Sequence, residues 1–311
     1  MKKPQDPTAD PEIRIHGAHA CQAVAARRPE DVRRVYITKD QVPAFSEFLR
    51  WCAQARLAYH VVDDAEMEKI TQSVHHGGVA LIVREPPPLT YGGLLARLRH
   101  DPPGKARRLL YLDNVQNPHN LGAIVRVAAH FGAPAVLVAG DDAPISPAMI
   151  RTAEGGAEYV DVIAVARGPA PLAALRELGF ALLATSCGRG GGLSDAPLPA
   201  RALIMLGSET HGLAEGLLAA ADRRVAVPGT GKVESLNVAT AAAVLLAEHW
   251  RQHPPGAAEH APGDSQERPA RAHSPGRKDT PARARPGGAG AARPARPGGP
   301  RPERPPGARP G

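Results

Sequence analysis

The sequence predicts an α/β protein in which a small mixed module precedes a larger, mostly parallel sheet covered by helices. Three observations predict it. Short apolar, β-branched runs alternate with helical segments from residue 109 to residue 250. Alternation of that kind implies crossover connections, which place helices on both faces of a parallel sheet. Proline-rich breaks at 85–108 and 253–256 separate this region from what lies on either side.

In the first 85 residues, VYIT (35–38), YHVV (59–62) and VALIV (79–83) read as strands. AFSEFLRWCAQA (44–55) sets Phe45, Phe48, Leu49 and Cys52 at i, i+3, i+4 and i+7, one face of a helix. The break EPPPLTYGGLLARLRHDPPGKARR, with a short helix at 91–99 between its proline clusters, reads as a linker. Beyond it, LLYLD (109–113), AVLVA (135–139), VDVIAV (160–165), ALLATS (181–186), ALIMLG (202–207) and RVAV (224–227) read as strands. Helical segments near 120–131, 147–153, 170–178, 213–220 and 238–250 separate them. The last helix must stop at HPPG, because proline has no amide donor. The expected division is 1–85, a linker at 86–106, a main domain at 107–252 and a tail at 253–311.

The net charge of +7 is concentrated at one end. Residues 254–311 carry 11 Lys+Arg against 5 Asp+Glu, which leaves +1 for the rest. That tail has 14 prolines and no Ile, Leu, Val or aromatic residue, so it cannot bury enough apolar surface to order itself. Its arginines suit a polyanion such as RNA, through counterion release; a merely solubilising extension is the alternative. No uncharged apolar run reaches the roughly 18 residues of a membrane span, and no apolar stretch follows the basic start as in a secretory signal. Cys21, Cys52 and Cys187 are odd in number and lack CxxC spacing, which suits reduced thiols in the cytoplasm.

Four polar, glycine-bearing stretches fall at the carboxyl ends of predicted strands, where open α/β sheets hold ligands. They are DNVQNPHNLGAIVR, SCGRGGGLSD, GSETHG and PGTGKVESLN. The GTGK run imitates a phosphate-binding loop but fails the test for one. A Walker A loop would place glycine at Ala226 and a hydroxyl at Val233. G-x-G-x-x-G is absent after the first strand, and GRGGGL (188–193) lacks the third glycine. His75, His76 and His119 have no partners at metal-ligand spacing, so no metal is expected. Ser208 and His211 lack the G-x-S-x-G elbow of a hydrolase.

NPHNLGAIVRVAAHFG (117–132), LGSETHGL (206–213) and VPGTGKVESLNVATAAAVLL (227–246) together resemble the three motifs of the SpoU/TrmH family. The N-terminal HGAHACQAVAARRPEDVRRVYIT and VHHGGVAL are similar to the L30e-like substrate-binding domain often fused to such enzymes. HHGG and RTAEGGAEYV suggest a YfiF-like branch. The resemblance implies an RNA ribose 2'-O-methyltransferase of the knotted SPOUT class. Its C-terminal chain would form a trefoil knot whose loops hold S-adenosyl-L-methionine, and it would be a homodimer acting on rRNA or tRNA. Carried over residue by residue, Gly207, Val227 and Leu236 would contact the cofactor, with Thr185 beside them. Gly229 and Gly231 would let the backbone turn around an adenosine instead of a phosphate.

The resemblance also assigns Asn120, Arg126, Glu209, Ser235 and Asn237 to catalysis. Arg126 would anchor a phosphate or act as base, the second role being demanding for a group of pKa above about 12. Asn120, Ser235 and Asn237 would orient loop and substrate, and Glu209 would fix the knot or the arginine. Taken singly, each has a plainer reading. Arg126 could be a surface ion-pair residue and Glu209 a solvated charge, while Asn120, Ser235 and Asn237 could be helix caps. Val227-Pro228-Gly229 departs from the family's usual isoleucine-proline-methionine, and the change at Gly229 bears on the pocket's shape. The reading from another class is an RNA-binding or ribosome-assembly protein of the same fold without methyl transfer.

Overall fold

The computed structural model describes residues 11–102, 104–186, 191–193, 195–208 and 210–254. Glu209, Cys187 and the tail from 255 onward lie outside the described residues.

The first domain is built from β1 (Glu12–His16), α1 (Ala18–Arg27), β2 (Val32–Ile37), α2 (Ser46–Gln54), β3 (Tyr59–Val61), α3 (Asp64–Thr71) and β4 (Val79–Arg84). Its four strands lie in the order β1-β4-β2-β3, with β4 antiparallel to both neighbours and β3 parallel to β2. The apolar face read from 44–55 is the buried one. Phe45, Phe48, Leu49 and Cys52 pack with Ile15, Val35 and Leu81. The Asp63 carboxylate caps α3 by accepting from the Glu66 amide at 2.8 Å.

Next comes α4 (Tyr91–Arg99), started by Thr90, whose hydroxyl accepts from the Gly93 amide at 3.1 Å. Leu94, Leu95 and Leu98 bury against one face of the second sheet, and the Tyr91 hydroxyl donates to the Pro171 carbonyl at 2.8 Å.

The second domain contains β5 (Arg107–Asp113), α5 (Pro118–His130), β6 (Ala135–Ala139), α6 (Pro147–Thr152), β7 (Asp161–Val165) and α7 (Ala173–Glu177). There follow β8 (Ala181–Thr185), β9 (Gly191–Gly192), β10 (Arg201–Gly207), α8 (Glu215–Ala220), β11 (Arg223–Ala226) and α9 (Val238–Gln252). The seven strands run β7-β6-β5-β10-β8-β11-β9, and every pairing is parallel. Period-two alternation sends Leu110 and Leu112 of β5 to the face covered by α5, α6 and α9, and Leu109 and Tyr111 to the face under α4, α7 and α8. No helix among the described residues is long and apolar enough to cross a membrane.

The domains are joined through α1 and the segment Arg151–Tyr159. Arg28 donates from Nε and Nη2 to the two carboxylate oxygens of Glu158 at 2.7 and 2.8 Å, and from Nη1 to the Arg84 carbonyl at 3.1 Å. Arg84 in turn pairs with Asp31. Both Arg28 and Glu158 side chains are only 10% exposed, so the pair is held with little water. His19 Nδ1 meets Glu154 Oε2 at 2.6 Å on the outer side of the same seam. Two glycines make the close approach possible. A Cβ at Gly155 would stand 2.9 Å from Ala23 Cβ, and one at Gly156 would stand 3.1 Å from Arg126 Cα.

Candidate active site

The carboxyl ends of β5, β10, β8 and β11 are adjacent in the sheet and point the same way, so the loops after Asp113, Thr185, Gly207 and Ala226 share one edge. All four are strand-end loops that the sequence predicts.

Gly207 ends β10, and its backbone is closely covered. A Cβ there would run into the backbone of Gly212 and Leu213. The loop between them folds back through a bridge from Ser208 to Gly212, with the Gly212 amide donating to the Ser208 carbonyl at 2.9 Å. Thr185 ends β8 and donates its hydroxyl to the Met205 carbonyl at 2.9 Å. Val227 follows β11 and is half-buried. From there to α9 the chain is exposed, with Val233 at 71% and Leu236 at 42%. Nothing lies within 4 Å of a Cβ placed at Gly229 or Gly231, and Gly231 has φ of +74°. A strand-end loop that exposes Leu236 and leaves space around its glycines offers apolar surface and backbone amides, the surroundings an adenosine with a short aliphatic arm requires. The residues present fit such a ligand.

Asn237 joins this loop to the first motif. Its Oδ1 accepts from the amides of Ala239 and Thr240, at 2.9 and 3.4 Å, and so caps α9. Its Nδ2 donates to Asn120 Oδ1 at 3.0 Å, joining residues 117 positions apart. The cap of α5 is not Asn120 but Asn117, whose Oδ1 accepts from the His119 amide at 2.9 Å. Pro118 sets the first helical position and leaves Asn120 in the first turn, where it meets the N-cap of α9. Ser235 sits two residues before Asn237 in the exposed loop.

Arg126 stands apart from these groups. Six residues along α5 carry it about 9 Å past Asn120 and roughly 120° around the helix. It is exposed and has no ion-pair partner among the described residues. Within one chain, therefore, Asn120 and Asn237 are brought together and Arg126 faces elsewhere.

Asp113 completes the edge; in the sequence it is only the first residue of DNVQNPHNLGAIVR. It closes β5, is 6% exposed, and accepts from the Ala214 amide at 3.0 Å across 101 positions. It thereby holds the start of α8 and the end of the Gly207 loop. The signal was a carboxylate terminating the apolar run LLYLD. Burial, reinforced by the Asp113 charge, raises the pKa of the Tyr111 phenol and keeps it neutral.

Comparison with known proteins gives this arrangement its family. The SpoU rRNA methylase profile matches residues 107–247, and the profile for RNA 2'-O ribose methyltransferase substrate binding matches residues 14–89. The uncharacterized tRNA/rRNA methyltransferase YfiF of Escherichia coli O157:H7 is 40% identical over 244 residues, spanning 78% of this chain and 69% of the relative. The 23S rRNA (guanosine-2'-O-)-methyltransferase RlmB of Pseudomonas putida is 30% identical over 241 residues, spanning 77% of this chain and 96% of the relative. A crystal structure of an RNA 2'-O ribose methyltransferase superposes with a TM-score of 0.63 at 27% identity, covering 78% of this chain and 88% of that one. The methyltransferase AviRb of Streptomyces viridochromogenes, in complex with AdoMet, shares the fold at a TM-score of 0.59 and 23% identity, over 78% of this chain and 90% of that one. With both profiles matched in order, and with relatives aligned over most of their length, the chain belongs to the SpoU rRNA methylase family.

Proposed function

We propose that Asn120, Arg126, Glu209, Ser235 and Asn237 carry methyl transfer to a ribose 2'-hydroxyl of rRNA or tRNA, and that Thr185, Gly207, Val227 and Leu236 hold S-adenosyl-L-methionine. As a SpoU-family member the protein is an RNA ribose 2'-O-methyltransferase. The observation that carries the assignment of residues is the hydrogen bond from Asn237 to Asn120. It pins the exposed loop before α9 to the first turn of α5, so the parts of two distant motifs share one edge of the sheet.

When bound, S-adenosyl-L-methionine supplies a methyl group on a sulfonium. The protein's part is positional. In-line placement of the ribose oxygen can account for several kcal/mol of barrier, about 7–11 in well-oriented systems. The Gly207 and Val227 backbones and the Leu236 side chain hold the donor, while Asn120 and Asn237 fix the loop that borders it. Arg126 takes a phosphate next to the target ribose by a bidentate contact. It lies on another face of α5 from Asn120, which favours a homodimer in which each site draws its arginine from the second copy. The family's trefoil knot belongs to the same reading, since it would bring the 227–237 loop back against the Gly207 loop. Action on rRNA or tRNA favours the cytoplasm as the site of work.

The test is methyl transfer from labelled donor to bulk rRNA and tRNA, followed by ribose-methylation mapping. Arg126→Ala is expected to lower turnover roughly 100- to 1,000-fold, the scale of a lost electrostatic contact to the reacting group. The melting temperature should stay unchanged, because the side chain is exposed and has no ion-pair partner among the described residues. A wild-type protein that binds donor and RNA yet leaves every ribose unmodified would refute the catalytic reading and leave an RNA-binding protein.

A further inference from the structure

We propose that the groove between the two domains holds a single-stranded stretch of the substrate RNA, with Tyr159 as the surface on which one of its bases stacks. The proposal rests on the methyltransferase reading above and says where that enzyme's substrate is gripped.

The groove has a volume of about 860 Å³, within the range of roughly 300–1,000 Å³ typical of ligand sites. One wall is α1, through His19, Gln22 and Ala26; the other is the second half of α5, through Arg126 and His130, with Tyr159 at the end. Gly155 and Gly156 bring the two walls this close, since a side chain at either position would press on α1 or α5. The stretch RTAEGGAEY therefore has a purpose that the chemistry at the sheet edge does not use.

Its residues match nucleic acid in shape and in charge. Tyr159 is 55% exposed, a large aromatic left in solvent, and the Arg27 guanidinium carbon lies 4.8 Å from its ring centroid. The cation steadies the ring and brings a positive charge to the rim. Glu158 is neutralised by Arg28, and Glu154, hydrogen-bonded to His19, leaves one negative charge against two guanidiniums. Arg27 and Arg126 have no ion-pair partner among the described residues, so the uncompensated charge of the groove is positive. A cationic groove ending in an exposed aromatic is the arrangement that binds single strands, whose unpaired bases stack on such rings. Arg126 lines this groove, so a strand gripped here passes the guanidinium that the reading above assigns to a phosphate next to the target ribose. The wall formed by α1 lies inside the region that matches the substrate-binding profile.

Fluorescence anisotropy of the full-length protein with a short, labelled single-stranded RNA of mixed sequence tests the proposal. Tyr159→Ala is expected to weaken binding about tenfold, the scale of one lost base stack. Tyr159→Phe keeps the ring and should bind as wild type does, and Arg27→Gln should weaken binding and reduce its salt dependence. Calorimetry with S-adenosyl-L-methionine, together with circular dichroism, confirms that each variant is folded. Unchanged RNA affinity in folded Tyr159→Ala would overturn the proposal, as would a duplex RNA competing as well as the single strand. A wild-type protein that transfers methyl groups while Tyr159→Ala binds normally would sink the groove and spare the enzyme. A wild type without transfer, but with the Tyr159-dependent binding, would do the reverse.

Discussion

In the segment 151–159, a Cβ placed on Gly155 or Gly156 would meet the neighbouring helices within 3.1 Å; in the segment 227–237, one placed on Gly229 or Gly231 would meet nothing within 4 Å. Both are glycine-bearing loops of the same domain, and in the sequence they look alike. The first is a weld, with Arg28 and Glu158 buried across it and two helices pressed on its backbone. The second is exposed from Pro228 to Asn237 and is held at its end by Asn237. Glycine serves close packing in one loop and borders open space in the other. The difference separates a segment that sets domain geometry from one that stays exposed at the sheet edge.

The sharpest way to break the comparison is at the weld. Glu158→Ala leaves the Arg28 guanidinium buried without its bidentate partner, and removing one member of a buried pair costs about 3–5 kcal/mol. A urea unfolding curve should show that loss, together with a transition that no longer joins the two domains in one step. A loss below about 1 kcal/mol would mean that the pair is wet and the seam loose.

Next in size is a pair of glycine variants on the open side. Gly207→Ala forces a Cβ into the Gly212–Leu213 backbone, where neither side is a flexible side chain, and should cost about 3 kcal/mol and abolish donor binding. Gly229→Ala meets no atom and should change stability by less than about 0.5 kcal/mol. Thermal melts with and without S-adenosyl-L-methionine distinguish the two, and equal losses would erase the contrast between covered and open glycines.

The helix leaving the open loop is buried at its far end, which adds a pH term. Burial, then the Arg108 cation and His253, lowers the pKa of His249 to about 4, and its Nε2 lies 3.0 Å from the Pro199 carbonyl. The folded value is below the unfolded value of about 6.5, so between these pH values the unfolded chain binds a proton that the folded chain refuses. The stabilisation is complete above about pH 6.5 and is lost as pH falls toward 4, amounting to about 2 kcal/mol at pH 5. Urea midpoints measured from pH 7 to pH 4.5 should fall in wild type and fall less in His249→Gln.

The elements that create the open edge were legible because their signals are local. LLYLD, ALLATS, ALIMLG and RVAV are short apolar runs, and their loops carry polar residues and glycine in sequence order. The helix at 91–99 was also readable from its leucines, although nothing local says that they pack on the second sheet. The weld was illegible for the opposite reason. Arg28 and Glu158 lie 130 positions apart, and neither sits in a pattern that names the other. Asn120 shows the same limit at close range. Composition allows it to cap α5, but Asn117 and Pro118 take that place, and Asn120 instead accepts from Asn237.

That meeting yields the smallest effect and the finest test of what holds the open loop. Asn237→Ala removes an N-cap, worth about 1 kcal/mol, and with it the donor to Asn120. Asn237→Asp keeps an acceptor for the Ala239 and Thr240 amides but has no amide to give Asn120. If capping alone mattered, aspartate would restore both stability and methyl transfer. If the bond to Asn120 positions the loop, aspartate should restore the melting temperature while transfer stays as low as in the alanine variant. Full recovery of transfer in Asn237→Asp would reduce the Asn120 contact to a bystander of the cap and return the first and third motifs to independent roles.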